Sequence, residues 1–345
     1  MGGVGMKVAL TGSEGYIGSR MANVLMEAGH DVTGFDNGMH RVATLYRTLD
    51  RRPAVTTIDT RDITEEHLRG FDAVVHLAEI SNDPVGQLNP EITANINHRA
   101  TVRLAENAKR AGVHRFVHMS SCSVYGASGE IDSDETSPTD PLTAYAKAKL
   151  AVEQDVAPMS SDSFVPTFLR NATAYGASPN QRFDLVVNDL TALAVLTGRI
   201  SMQSDGTPWR PFVHILDIAK ATACVLGADP SVVRGEVFNV GSNNQNLRVR
   251  EVAQLVAERV DGCELEFGPP SADARDYRAN FDKIHGQLPG FSCDWDVARG
   301  IDELVQLFAA IGLDQSMKDH RGHVRLRQIE YLTSTGQIDE DLAWR

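Results

Sequence analysis

The chain has 345 residues, 42% hydrophobic and 23% charged, enough to bury a large core as one large domain or two intimate ones. A net charge of −13 argues against nonspecific nucleic-acid binding, although local arginines and helix N-termini can still hold an anion. No stretch approaches the ~18 consecutive apolar residues of a membrane span, so none is expected.

Met1–Met6 has neither the basic start nor the apolar run of a secretory signal and is expected to be an extension. Lys7–Thr11 is a short apolar run, a strand ending in a glycine turn. Tyr16–Ala28 has helical spacing and stops at Gly29. Asp31–Phe35 is the second strand, and Val55–Ile58, Ala73–Leu77 and Arg115–Met119 are further buried strands. Glu91–Ala111 predicts a long helix closed by Gly112. Pro141 opens the next helix, since proline suits a first turn, and Phe164–Leu169 is another strand. This alternation predicts an α/β fold with a doubly wound parallel sheet.

Beyond Arg170 the pattern loosens. Asn171–Pro179 is expected as loop, Phe183–Leu196 as helix and Ile200–Gln203 as a short strand. Ile215–Leu226 and Val237–Val240 are a helix and strand returning to the sheet. Val249–Val260 and Val297–Ile311 are amphipathic helices of a smaller C-terminal lobe, and Val324–Leu342 is expected as a helix on that lobe's surface.

Three motifs carry chemistry. Gly12, Gly15 and Gly18 lie between a strand and a helix. Gly12 permits a tight turn, Gly15 lets backbone approach a pyrophosphate, and Gly18 lets helix pack on strand. Asp36 ends the second strand about twenty residues on, where a carboxylate binds an adenosine ribose and repels a 2′-phosphate; Arg41 nearby is a competing cation. The strand end Met119-Ser120-Ser121-Cys122-Ser123 precedes Tyr145-Ala-Lys-Ala-Lys149. A tyrosine and lysine four apart share a helix face, so the ammonium favours the charged form of the phenol. The four cysteines, Cys122, Cys224, Cys263 and Cys293, form no Cys-x-x-Cys pair. They suit a reducing cytoplasm and give no metal signature.

With these three motifs in this order, the chain resembles the extended short-chain dehydrogenase/reductase family, in the branch acting on nucleotide sugars. The resemblance runs from about Lys7 to at least Asp282 and is strongest over the first half. It implies a Rossmann-type fold. Residues 1–170, with 213–243 returning, would bind NAD; 171–212 and 244–345 would form the nucleotide-sugar lobe and helical tail. The family pattern places Gly12, Gly15, Tyr16, Ile17, Gly18, Asp36, Asn37, Thr60, Leu77, Ala78, Asn95 and Ser120 around the dinucleotide. Asp59 would lie by the adenine, with Asp62 the competing acid. Glu79 departs from the family's small residue; it is expected to point to solvent, the alternative being a change in local charge.

The resemblance makes Ser121, Tyr145 and Lys149 the catalytic residues. Related 4,6-dehydratases and uronate decarboxylases carry a glutamate two residues after the serine or threonine; this chain has Ser123 there and Cys122 between. The local pattern resembles 4-epimerases. Ser123, Thr173, Tyr175, Asn188, Arg210 and Arg275 match substrate positions, the two arginines as diphosphate ligands or structural ion pairs. The resemblance implies a nucleotide-sugar 4-epimerase acting through a 4-keto sugar. A reductase, dehydratase or decarboxylase is the alternative, and a non-catalytic NAD-binding sensor a further one. It also implies a homodimer through the helices at Glu91–Ala111 and Leu142–Ala157.

Overall fold

The computed structural model describes residues 5–48, 51–81, 86–87, 89–126, 132–270 and 276–345. The strands are β1 (Lys7–Thr11), β2 (Asp31–Asp36), β3 (Ala54–Thr57), β4 (Ala73–His76), β5 (Arg115–Ser121), β6 (Val165–Asn171), β7 (Thr173–Tyr175), β8 (Arg199–Ser201), β9 (Trp209–His214), β10 (Val237–Val240), β11 (Asn246–Arg248) and β12 (Glu264–Glu266). Seven of them form one sheet in the order β10-β6-β5-β4-β1-β2-β3, every pairing parallel. The chain runs outward from β1 to β3, then crosses back to β4. The β1/β4 boundary is therefore a topological switch point, where α/β sheets open a cleft at their strand C-termini.

Alternation along β1 divides the core. Val8 and Leu10 pack with Met21, Ala22 and Leu25 of the helix Tyr16–Glu27 on one face. Ala9 faces Leu104 and Ala105 of helix Ala100–Arg110 and Val152 of helix Ala144–Val156 on the other. A second core, with Phe183, Val187, Ile200, Phe212, Val256, Leu304 and Phe308, underlies the smaller lobe. That lobe carries β7, β9 and β11 as one small sheet and β8 with β12 as another.

Several local expectations change. β3 is the sheet edge and mostly exposed, so Val55–Ile58 is not a buried strand. The Tyr145 helix starts at Ala144, capped by the Thr143 hydroxyl, which accepts from the Ala146 amide at 3.1 Å; Pro141 lies outside it. The Asn171–Pro179 loop contains β7, and Asn171 itself ends β6. The long helix is a composite: Pro90–Thr93, a wide π segment Ala94–Arg99, then Ala100–Arg110. Such π segments often mark functional sites.

The tail differs most. Helix Arg325–Ser334 does not lie only on the smaller lobe. Ile329, Leu332, Ile338, Leu326 and Leu342 pack against Met39 and Ile80, beyond the ends of β2 and β4. Apolar spacing marks a buried face but does not say which surface covers it.

Candidate active site

A cavity of about 880 Å³ opens at the β1/β4 switch point and extends toward the smaller lobe. Its floor is the glycine turn. Gly12 has φ +70°, and a Cβ there would sit 2.9 Å from the Ala78 nitrogen. A Cβ on Gly18 would sit 2.0 Å from the Gly12 carbonyl oxygen, so only glycine lets the helix approach the turn. The helix Tyr16–Glu27 has no side-chain N-cap and no acid in its first turn, leaving its N–H groups and positive dipole end for an anion. Tyr16 and Ile17 line the cavity there.

At the far end of the floor, Asp36 accepts from the Glu14 amide at 3.0 Å and the Gly38 amide at 2.9 Å; burial holds its carboxyl above the usual range despite these bonds. Arg41 is engaged elsewhere, donating to Glu14 at 2.6 Å and Thr57 at 2.8 Å, although its charge still draws the Asp36 carboxyl down. Asn37, Asp59 and Thr60 line the same end, whereas Asp62 does not. Burial would raise the Asp59 carboxyl, but two hydrogen bonds from Arg61, at 2.9 and 3.0 Å, outweigh it and hold it low. Backbone at Leu77 and Ala78 forms the near wall, both amides donating to the Thr11 hydroxyl at 3.2 Å.

Asn95 does not line the cavity. Its neighbour Asn97, in the π segment, supports the wall instead by bonding both the amide and the carbonyl of Ile80 at 2.8 Å. The hydroxyl of Ser120 is turned to Glu153 at 2.5 Å, although the residue lines the cavity.

Ser121, Ser123, Tyr145 and Lys149 all line the cavity. The Ser121 hydroxyl accepts from the Ser123 amide at 3.2 Å, while the buried Ser123 hydroxyl has no partner. The Lys149 ammonium lies 5.5 Å from the Tyr145 ring centre and donates to the Met119 carbonyl. It also forms an ion pair with Glu79, whose side chain is 2% exposed. The expectation that Glu79 faces solvent is thus wrong.

Glu79 lies among Thr101 at 3.3 Å, His76 at 3.5 Å and His118 at 3.6 Å. Burial raises the Glu79 carboxyl, and Lys149 pulls it back. Burial also holds His76 down at about 3 and His118 well below its ordinary value, so both rings are neutral. His76, Glu79 and His118 offer three donor atoms within 4.8 Å, a metal-like spacing absent from the sequence motifs; the cation held against this carboxylate is the lysine itself.

On the substrate side, Thr173 and Arg210 line the cavity, with Arg210 5.7 Å from the Tyr277 ring. Tyr175 does not: it is fully buried against His214, where Gly300 leaves it room. Asn188 is also buried. Its amide accepts from Gly176 at 3.1 Å and donates to Tyr16 and the Arg182 carbonyl at 3.0 Å, holding a loop rather than a ligand. Arg275 lies outside the described residues. Sequence reasoning missed Arg182, His40, Arg325, Ile329 and Leu342, all on the cavity wall. None belongs to a spaced motif.

The model of the NAD dependent epimerase/dehydratase family matches residues 8–241. The chain belongs to this family. A UDP-glucose 4-epimerase of Corynebacterium glutamicum is 31% identical over 274 residues, 73% of this chain and 80% of that one. A human dTDP-D-glucose 4,6-dehydratase is 26% identical over 306 residues, 83% of this chain and 85% of that one. Among solved structures, MoeE5 in complex with UDP-glucuronic acid and NAD has a TM-score of 0.75 and 27% identity, covering 89% of this chain and 100% of that one. The chain is therefore an enzyme of this family with a Rossmann-type fold.

Proposed function

We propose that this enzyme is an NAD-dependent nucleotide-sugar 4-epimerase. The observation that carries the reading is the state of the cavity's carboxylates. Among the described residues, five acids line it: Glu14, Asp36, Asp59, Glu79 and Asp184. Each is engaged, by Arg41, by backbone amides, by Arg61, by Lys149 and by Arg182 respectively. Elimination of water needs an acid free to move protons beside the sugar. Here that stretch supplies Ser121, a buried cysteine and Ser123.

The glycine turn fits a dinucleotide, because a Cβ would fill its cradle and the uncapped helix N-terminus accepts a phosphate. The backbone of Gly12–Gly18, Asp36 and the Leu77–Ala78 wall would hold NAD. Bound there, NAD supplies the hydride acceptor and donor. Asp36 favours NAD over NADP, since a 2′-phosphate would meet its carboxylate.

Tyr145 takes the proton of the sugar 4-hydroxyl and returns it after the 4-keto sugar has turned. Lys149 stabilises the phenolate, and Ser121 steadies the reacting oxygen. Thr173, Arg210 and the unpartnered Ser123 hydroxyl face the sugar nucleotide, held between the sheet and the lobe of residues 171–212 and 244–345. We further propose a symmetric dimer through the outer faces of helices Ala100–Arg110 and Ala144–Val156, working in a reducing cytoplasm; among the described residues no helix is long and apolar enough to cross a membrane.

Incubation with a panel of nucleotide sugars, with products separated and weighed, tests the reading. An isomer of unchanged mass is expected. Loss of water or carbon dioxide, or net consumption of the reduced cofactor, would replace epimerisation by the dehydratase, decarboxylase or reductase alternative.

A further inference from the structure

Two guanidinium groups are buried in the cavity wall at a place no motif marks. Arg182, 6% exposed, grips Asp184 through two bonds of 2.8 and 3.1 Å and reaches Ser81 at 3.2 Å. Arg325, 5% exposed, begins the tail helix. Its guanidinium donates to the Gly322 carbonyl at 3.4 Å and has no ion pair among the described residues. Only its backbone amide bonds Asp184, at 3.2 Å. The two cations thus share one anion in direct contact, Asp184, and Asp36 acts on Arg325 from farther off. Burial, and then Arg182, push Arg325 down to about 9, with Asp184 and Asp36 opposing them. His40 beside them has a buried Nδ1 without a partner, and burial keeps its ring neutral. A buried guanidinium on a cavity wall, without an ion pair of its own among the described residues, fits an anionic ligand.

The tail is fixed over the adenosine end of the same cavity. The Trp344 indole donates to the Asn37 carbonyl at 2.7 Å, and Gln328 donates to the Met39 carbonyl at 3.0 Å. Arg61, which grips Asp59, also donates to the Asp341 carbonyl at 2.6 Å. Leu342, on the cavity wall, has φ 57°, the one non-glycine residue with left-handed backbone among those described. Such backbone persists where surrounding contacts impose it.

We propose that the C-terminal segment completes the cofactor site: Arg325, backed by Arg182, binds the diphosphate of an ADP-bearing ligand, and residues 338–345 close over its adenosine. This rests on the reading of the cavity as a dinucleotide site. It assigns a role to a part of the chain beyond the family match, residues 8–241.

Titration calorimetry of the cofactor-stripped full chain with ADP and with adenosine tests the proposal. Arg325→Met removes the charge and keeps an apolar side chain in a buried place. ADP affinity is expected to fall about 10–100-fold, as for loss of a charged hydrogen bond, with adenosine affinity unchanged. Equal ADP affinity in variant and wild type overturns the proposal. Should the variant not fold, hydrogen exchange on the wild type decides: ADP slows exchange across 325–345 and adenosine does so less. An exchange pattern there that ADP leaves untouched overturns it. A wild-type chain that binds neither NAD nor ADP instead overturns the dinucleotide reading itself, and the subsite with it.

Discussion

Glu79→Gln keeps the shape of the side chain and deletes the countercharge of Lys149. Both partners are almost wholly buried, at 2% and 4% exposure, so water cannot replace the lost carboxylate. Breaking a buried pair from one side costs about 3–5 kcal/mol. Unfolding entropy of about 2.1 cal/mol/K per residue gives roughly 0.7 kcal/mol/K for a chain of this length, so Tm should fall by about 4–7 °C. The neighbours cannot rescue it: His76 and His118 are neutral, and Thr101 offers one hydroxyl. Scanning calorimetry of the wild type, Glu79→Gln, Lys149→Met and the double variant tests this. The double variant removes both charges and should regain most of the loss. A Glu79→Gln protein melting with the wild type, or a double variant as unstable as the two losses added, would refute the reasoning.

Tyr145→Phe should retain NAD and lose about 10²–10⁴-fold in turnover, as removal of a general acid–base does; a variant with near-native turnover and normal cofactor occupancy would disprove its role. Because burial holds His76 at about 3 against an ordinary 6.5, the native ring stays neutral while the unfolded one takes a proton between those values. Its contribution to stability is therefore full above 6.5 and falls with pH, by about 2 kcal/mol at pH 5, and His76→Gln should flatten that part of a Tm-against-pH profile. Gly18→Ala drives a Cβ into the Gly12 carbonyl, so calorimetry should show NAD binding lost or severely weakened; native affinity would mean the turn can open. Binding of NADP as tightly as NAD would show that Asp36 does not read the ribose, since a like-charge contact there costs on the order of 1–3 kcal/mol.

What the sequence determined by itself was local. The run Lys7–Thr11, the three glycines and the helix after them follow from backbone sterics over a dozen residues, and the structure has them where spacing put them. Tyr145 and Lys149 share a face because a helix turns that way. The parallel, doubly wound class of the sheet followed from the alternation of strands with helices, whereas the order of its strands did not. Tertiary structure decided which groups those residues meet. Glu79, Thr101, His76, His118 and Lys149 come from β4, the turn after it, β5 and two helices, and no spacing in the chain announces that they converge. Tyr175 and Asn188 occupy motif positions, yet packing turned both into the core. The tail's apolar stripe at Leu326, Ile329 and Leu332 was legible as a buried face. That it lies across Met39 and Ile80, with Arg325 in the cavity wall, depends on contacts nearly three hundred residues apart. Periodicity fixes a direction around an element's own axis, and only packing supplies the surface on the other side.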